Sequence, residues 1–279
     1  MSVAVDPEYR AEIEAWRVQR LGKLTAEDGW LALAGLHWLE DGDTSLGSAP
    51  ECDVVLPPSA PPRVGDIRRR GAEVRLALAP GITAVVDGGP VAGIVDLKSD
   101  AGGEPTVVRL GDVSFQVLAR GERLGLRIRD AASPARREPP ALDYFPIDPA
   151  WRVRARLDPY DPPHRLTVAD YTGGVQEQVA PGALVFEHAG EELRLDAFDA
   201  GEELFVIFAD PSNASETYGA GRYLYTARPD HEGAVWVDFN KAYSPPCAFT
   251  PFATCPLPPP QNRLSLRVAA GEKFIDPKH

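Results

Sequence analysis

The chain has 279 residues, and its 29 lysines and arginines against 41 aspartates and glutamates give a formal net charge of −12. Such acidity argues against phosphate-backbone binding, which needs clustered basic residues, but leaves room for a local cationic pocket. The 44% hydrophobic content is that of a globular protein large enough for one large or two medium domains, punctuated by 28 prolines and 25 glycines into many short elements.

Residues 1–28 read as a short N-terminal helical arm. Asp6 caps it, Pro7 suits the first helical position, and Ile13, Trp16 and Arg20 follow at helical spacing, the arginine stem over apolar surface with its head in water. Thr25 with Asp28 predicts the start of a second helical turn. The N-terminus has no apolar run of signal-peptide length, and no segment approaches the ~18 apolar residues of a membrane span, so the expectation is a cytoplasmic protein that meets no membrane. Cys52, Cys247 and Cys255, an odd count with two close together, suit reduced thiols in that compartment. Asn213 heads a glycosylation-like triplet that has no meaning without secretion.

From Gly35 onward the chain changes character. "CDVVL", "AEVRLAL", "ITAVV", "TVVRL" and "VSFQVL" are short branched-residue runs between Gly, Pro and Asp, which predicts a β-sandwich or barrel. The stretch "SLGSAPECDVVLP" with "RVGDIRRRGAEVRLALAPGITAVVDGGPV" resembles the plan of the forkhead-associated β-sandwich. That family reads phosphothreonine through an arginine after its first glycine and a later serine–histidine pair. Here Ser48 follows Gly47, and no Ser-x-x-His lies between Val55 and Arg70, so residues 29–130 are expected as a scaffolding sandwich through which a protein partner could dock.

Residues 131–279 read as a β-barrel-like domain. In "WRVRARL", Trp151, Val153, Ala155 and Leu157 share one face and Arg152, Arg154 and Arg156 the other, either a solvated face or an anion-attracting wall. "ALVFEHAGEELRLDAF" predicts a hairpin turning at Ala189–Gly190, and "LFVIFAD" a buried strand. "GRYLYTA" and "AVWVDFN" follow. The last places Trp236, Asp238 and Asn240 on one face and Val235, Val237 and Phe239 on the other.

Then comes the proline-rich motif, residues 240–263, with seven prolines and two cysteines. Its rigidity suits a preorganised strap over a barrel mouth, a common ligand location. The ligand-binding candidates are Glu216, Tyr218, Arg222, Asp238, Asn240, Lys241 and Tyr243. Arg222 and Lys241 would hold an anionic or carboxylated ligand, the tyrosines would wall it, and Asp238 with Asn240 would orient the cations. In the rival reading the same residues form an internal clasp, Arg222 with Glu216 and Lys241 with Asp238, and the protein has a structural or interaction role. Cys247 and Cys255 make a third site if either thiol is exposed and acidic; otherwise they are structural. His37, His164, His188, His231 and His279 read as structural or solvated. No metal site, cofactor fingerprint, P-loop, nucleophile elbow or H-E-x-x-H occurs, so no reaction is named.

"GLHWL", "FPIDPAWRV", "ETYGAGRYLYT" and above all "DFNKAYSPPCAFTPFATCPLPPPQNRL" resemble the bacterial family known as domain of unknown function 1684. The resemblance runs from about Glu12 to Phe274 and carries Glu216, Tyr218, Gly221, Arg222, Asp238, Asn240, Lys241, Tyr243, Cys247, Cys255, Asn262 and Arg263. It implies a sandwich-like front half joined to a β-rich back half, and no activity.

Overall fold

The computed structural model describes residues 5–274. The fold is mostly antiparallel β-sheet after one long N-terminal helix. It comprises two compact units: Lys23–Pro140 form one, and the segments up to Gly22 and from Ala141 onward form the other. His279 lies outside the described residues.

Helix α1 spans Pro7–Thr25. The Asp6 carboxylate accepts from the N–H groups of Glu8 (2.9 Å) and Tyr9 (3.1 Å), two of the donors left unpaired at a helix start. Thr25 ends this helix instead of opening another. The buried stripe continues through Leu24, and the chain then doubles back so tightly at Gly29 that a side chain there would meet the Leu24 carbonyl at 2.6 Å. A 3₁₀ turn at Trp30–Ala32 follows.

The front unit is built from β1 (Leu33–Trp38), β2 (Gly42–Gly47), β3 (Val54–Val55), β4 (Gly65–Arg70), β5 (Glu73–Leu78), β6 (Ala84–Val86), β7 (Gly89–Val91), β8 (Ile94–Asp96), β9 (Val108–Leu110), β10 (Val113–Arg120) and β11 (Arg123–Asp130), with a single helical turn α2 (Pro134–Arg137). One sheet runs β1-β11-β10-β9-β6-β7 and the other β3-β2-β4-β5-β8. Alternate residues from both sheets, among them Leu46, Ile67, Leu76, Phe115, Val117 and Leu126, share one core, so the unit is a sandwich. Each such fully buried side chain contributes ~1.5–3 kcal/mol over leaving it in water.

The second unit holds β12 (Asp143–Tyr144), β13 (Arg152–Ala169), β14 (Val175–His188), β15 (Glu191–Ala200), β16 (Glu203–Phe208), β17 (Arg222–Ala227), β18 (Ala234–Asp238) and β19 (Glu272–Lys273). Its main sheet has the order β17-β16-β15-β14-β13-β18 and curls until its edges nearly meet: the Thr226 hydroxyl on β17 donates to the Trp236 carbonyl on β18 at 2.6 Å. The interior is filled by Trp151, Val153, Phe186, Leu195, Phe208, Leu224, Val237 and Phe239, with Phe208 and Phe239 edge to face at 5.4 Å. The predicted hairpin turns where expected, with positive φ at Ala189 (52°) and Gly190 (83°), the two-residue turn whose twist matches the strands.

Strands β13 and β14 run on past the barrel as a two-stranded ribbon. Pro159, Pro162 and Pro163 lack N–H groups, and the register breaks between Pro159 and His164 before pairing resumes to Ala169. No helix among the described residues is long and apolar enough to cross a membrane.

Candidate functional site

The proline-rich motif begins where β18 ends. Val235, Val237 and Phe239 enter the core, as alternation requires, and the opposite face at Asp238 is covered by α1. The Tyr9 hydroxyl lies 2.9 Å from both carboxylate oxygens of Asp238. Asp238 also caps the next 3₁₀ turn by accepting from the Asn240 N–H at 3.1 Å. The Asn240 amide donates to Tyr9 (3.0 Å) and to the Asp148 carbonyl (2.9 Å), and its oxygen accepts from the Asp148 N–H at 3.0 Å. Burial, then the Asp238 charge, push the Tyr9 phenol well above its ordinary range, so it stays a donor. Lys241 reaches Glu12 of α1 at 2.6 Å rather than Asp238; Tyr9 already occupies that carboxylate.

Arg222 opens β17 and is fully buried. Its partner is Asp210, at 2.9 Å, rather than Glu216. The guanidinium also donates to the carbonyls of Val268 (3.0 Å) and Ala270 (2.5 Å), and the Asp210 carboxylate accepts from the N–H groups of Ser212 (3.1 Å) and Val268 (2.8 Å). Burial lowers the Arg222 pKa against the opposing pull of Asp210. Glu216 instead faces Arg267 in a bidentate pair of 2.5 and 2.6 Å, which holds its carboxyl below the usual range.

A second buried ion pair sits beside the strap. Arg20 does not keep its head in water: its Nε lies 3.2 Å from Glu272, another nitrogen donates to the Ser244 carbonyl at 3.1 Å, and the guanidinium stands over the rings of Tyr243 (4.7 Å) and Phe249 (5.5 Å). Glu272 accepts in turn from the Ser244 N–H at 3.2 Å, and burial raises its pKa against the opposing pull of Arg20.

The strap is laced to the barrel along its length. Tyr243 and Tyr223 exchange backbone hydrogen bonds of 3.0 and 2.8 Å, the Tyr218 hydroxyl donates to the Cys247 carbonyl at 2.9 Å, and Tyr171 donates to the Cys255 carbonyl at 2.8 Å. Asn262 donates to the carbonyls of Asp196 and Ile207, each at 2.9 Å. Gly221 has φ +91° and lies so close under the strap that a Cβ would meet Pro258 at 2.5 Å and the Phe208 carbonyl at 2.6 Å. Cys247 and Cys255 are both free and 7% and 2% exposed, with the Cys247 N–H donating to the Cys255 sulfur at 3.1 Å. Hydrogen bonding between the two thiols lowers the Cys247 pKa and raises that of Cys255.

Five of the seven ligand candidates therefore sit in internal polar contacts: Asp238 and Asn240 with Tyr9, Lys241 with Glu12, Arg222 with Asp210, and Tyr243 under Arg20 beside Glu272, while Tyr218 ties the strap directly. Glu216 stands apart at the surface. The partners missed in the sequence are Tyr9, Glu12, Asp210 and Glu272. Asp210 alone carried a local signal, since "DPSN" is a side-chain-capped turn. Among the described residues no group of three or more His, Cys, Asp or Glu is placed to hold a metal.

The arginines of β13 are ion-paired: Arg152 with Glu12 (3.7 Å), Arg154 with Glu232 (3.5 Å) and Arg156 with Asp158 (3.6 Å). A different cationic surface lies on the front unit. A cavity of about 150 Å³ opens on the solvent face of β4, β5 and β8, lined by Arg68, Arg70, Glu73, Arg75, Ala77 and Ile94. Arg68 and Arg75 stand directly opposite each other across the ladder, flanked by Asp43 at 3.9 Å from Arg68 and by Asp96 at 2.8 Å and Glu73 at 3.8 Å from Arg75. Like charges in opposed positions cost stability. Ile94 beside them is 66% exposed.

Residues 140–273 match the family described as "Protein of unknown function (DUF1684)", and the chain belongs to that family. A similar solved structure is the solution NMR structure of an uncharacterized protein of Haloarcula marismortui, 33% identical over 52% of this chain and 83% of that one, with a TM-score of 0.43. No curated protein matches. The family match lies in the second unit; the forkhead-associated resemblance of the front unit has no such match behind it.

Proposed function

We propose that this protein is a non-enzymatic interaction module. The proline-rich motif is an internal clasp, and the arginine face of the front sandwich holds an acidic protein segment. The observation that carries this reading is the contrast in exposure: the Arg68 and Arg75 side chains are 52% and 55% exposed, against 0% for Arg222 and 25% for Lys241. Arg222 is buried against Asp210 and Lys241 is tied to Glu12, whereas Arg68 and Arg75 face each other at an open cavity with an exposed isoleucine. Guanidinium groups suit carboxylates by their forked geometry, and a cationic patch on a chain of net charge −12 focuses acidic ligands to one place. Ala77 and Ile94 supply the apolar contact that a bare anion would not use.

The test is fluorescence anisotropy of labelled octaglutamate with the full chain at low ionic strength. Binding is expected to fall as salt is added. In the Arg68→Gln/Arg75→Gln variant it should weaken roughly tenfold, because two exposed pairs at ~0.2–1 kcal/mol each sum toward the ~1.4 kcal/mol of one decade. Absence of binding, or equal binding by the variant, overturns the reading.

A further inference from the structure

The distal ribbon of β13 and β14 has one edge covered and one open. On the β13 side, Leu257 of the strap donates to the Ala169 carbonyl and the Tyr171 N–H donates to Cys255, both at 2.8 Å. The hairpin itself is closed from Asp170, whose N–H donates to Gly174. Successive residues of a strand direct their backbone groups to opposite edges. Asp170, Val168, Leu166 and His164 therefore bond across the ribbon to Gly174, Gln176, Gln178 and Ala180, their register partners. It follows that Val175, Glu177 and Val179 direct their N–H and C=O groups away from β13. β15 joins β14 only from Gly182 onward, so among the described residues nothing pairs with that edge.

The open edge reads Val175-Gln176-Glu177-Gln178-Val179, the same in both directions. We infer that this edge pairs antiparallel with the same edge of a second copy of the chain, about a two-fold axis at Glu177. In that register Val175 faces the second copy's Val179, Glu177 faces its counterpart, and these are the residues whose backbone groups point outward, so every inter-copy pair exchanges hydrogen bonds. The side chains agree with the register. Val175 and Val179, 54% and 37% exposed, meet as apolar cross-strand pairs. The two Glu177 carboxylates oppose each other across the axis, a like-charge contact that each chain's own Arg165, 3.7 Å from its Glu177, partly offsets. The segment 175–180 carries no lysine, proline or bulge, the usual protections of an unpaired edge.

Size-exclusion chromatography with light scattering, over a concentration series of the full chain, tests this. The wild type should rise from monomer to dimer mass with concentration. Glu177→Pro removes one outward N–H and no bond within the ribbon, so it should stay monomeric with unchanged circular dichroism and melting temperature. Glu177→Gln removes the like-charge opposition and should dimerise at several-fold lower concentration. A wild type monomeric throughout the series overturns the inference. So does a dimer that survives Glu177→Pro, since its contact then lies elsewhere.

Discussion

Arg222 and Asp210 are both fully withdrawn from water, so neither charge tolerates the loss of the other. Replacing one partner leaves an uncompensated buried charge, which costs about 3–5 kcal/mol, whereas replacing both by apolar groups of similar size is often close to neutral. In urea unfolding, Arg222→Met and Asp210→Leu should each lose about 3–5 kcal/mol, and the double variant should lose less than either single one. Additive losses would contradict a coupled pair. The thiols follow from burial in the same way. Cys247 is drawn toward the thiolate by Cys255 but is closed off from solvent. All three cysteines should resist Ellman's reagent in the folded chain and react once it is denatured; a fast native reaction would contradict the structural role. At this scale the sequence was legible on one side only. Arg222, Lys241 and Asp238 stand out because charged residues beside strand ends draw attention, but Tyr9 and Glu12 lie some 230 positions from their partners and nothing local links them.

The elements were legible where periodicity is strong. Trp151, Val153 and Ala155 alternate into the barrel core, and Ile13, Arg20 and Leu24 fall on the buried stripe of α1. The two-residue strands β12 and β19 carry too few side chains for a pattern, and their pairing is fixed by Tyr144 opposite Glu272 across a long separation. The Arg20 head is expected in water because an arginine on a helix normally snorkels; the buried Glu272 reverses that choice. The docking of α1 gives a pH signature. Lys241, its largest influence, and Arg152 hold the Glu12 carboxyl below its ordinary range. A carboxylate lowered in the folded state stabilises fully above its unfolded value, about 4.3, and that contribution is lost as pH falls through the folded value. Lys241→Met should therefore lower stability by ~0.2–1 kcal/mol at neutral pH and converge with the wild type in acid. A deficit that persists unchanged in acid would point to packing instead.

Over the whole molecule, acidic and basic charge are unevenly used. The net charge of −12 keeps the chain repelling other acidic surfaces, yet one sheet face of the front sandwich sets two exposed arginines opposite each other, with Asp43 beside Arg68 and Asp96 and Glu73 beside Arg75. The proline-rich motif, the most conspicuous sequence in the chain, is closed by its own contacts, and the arginine run "DIRRRGAEVR" became notable only when the β4–β5 register set Arg68 against Arg75. Composition alone does not carry that register.

The most direct test of this division of labour is one measurement on two variants: stability and octaglutamate affinity of Arg222→Met/Asp210→Leu beside Arg68→Gln/Arg75→Gln. The account predicts that the first keeps wild-type affinity whatever its stability, while the second loses affinity roughly tenfold and shifts stability by less than ~0.5 kcal/mol. Affinity lost from the folded Arg222→Met/Asp210→Leu protein would place the working site at the strap and contradict the account.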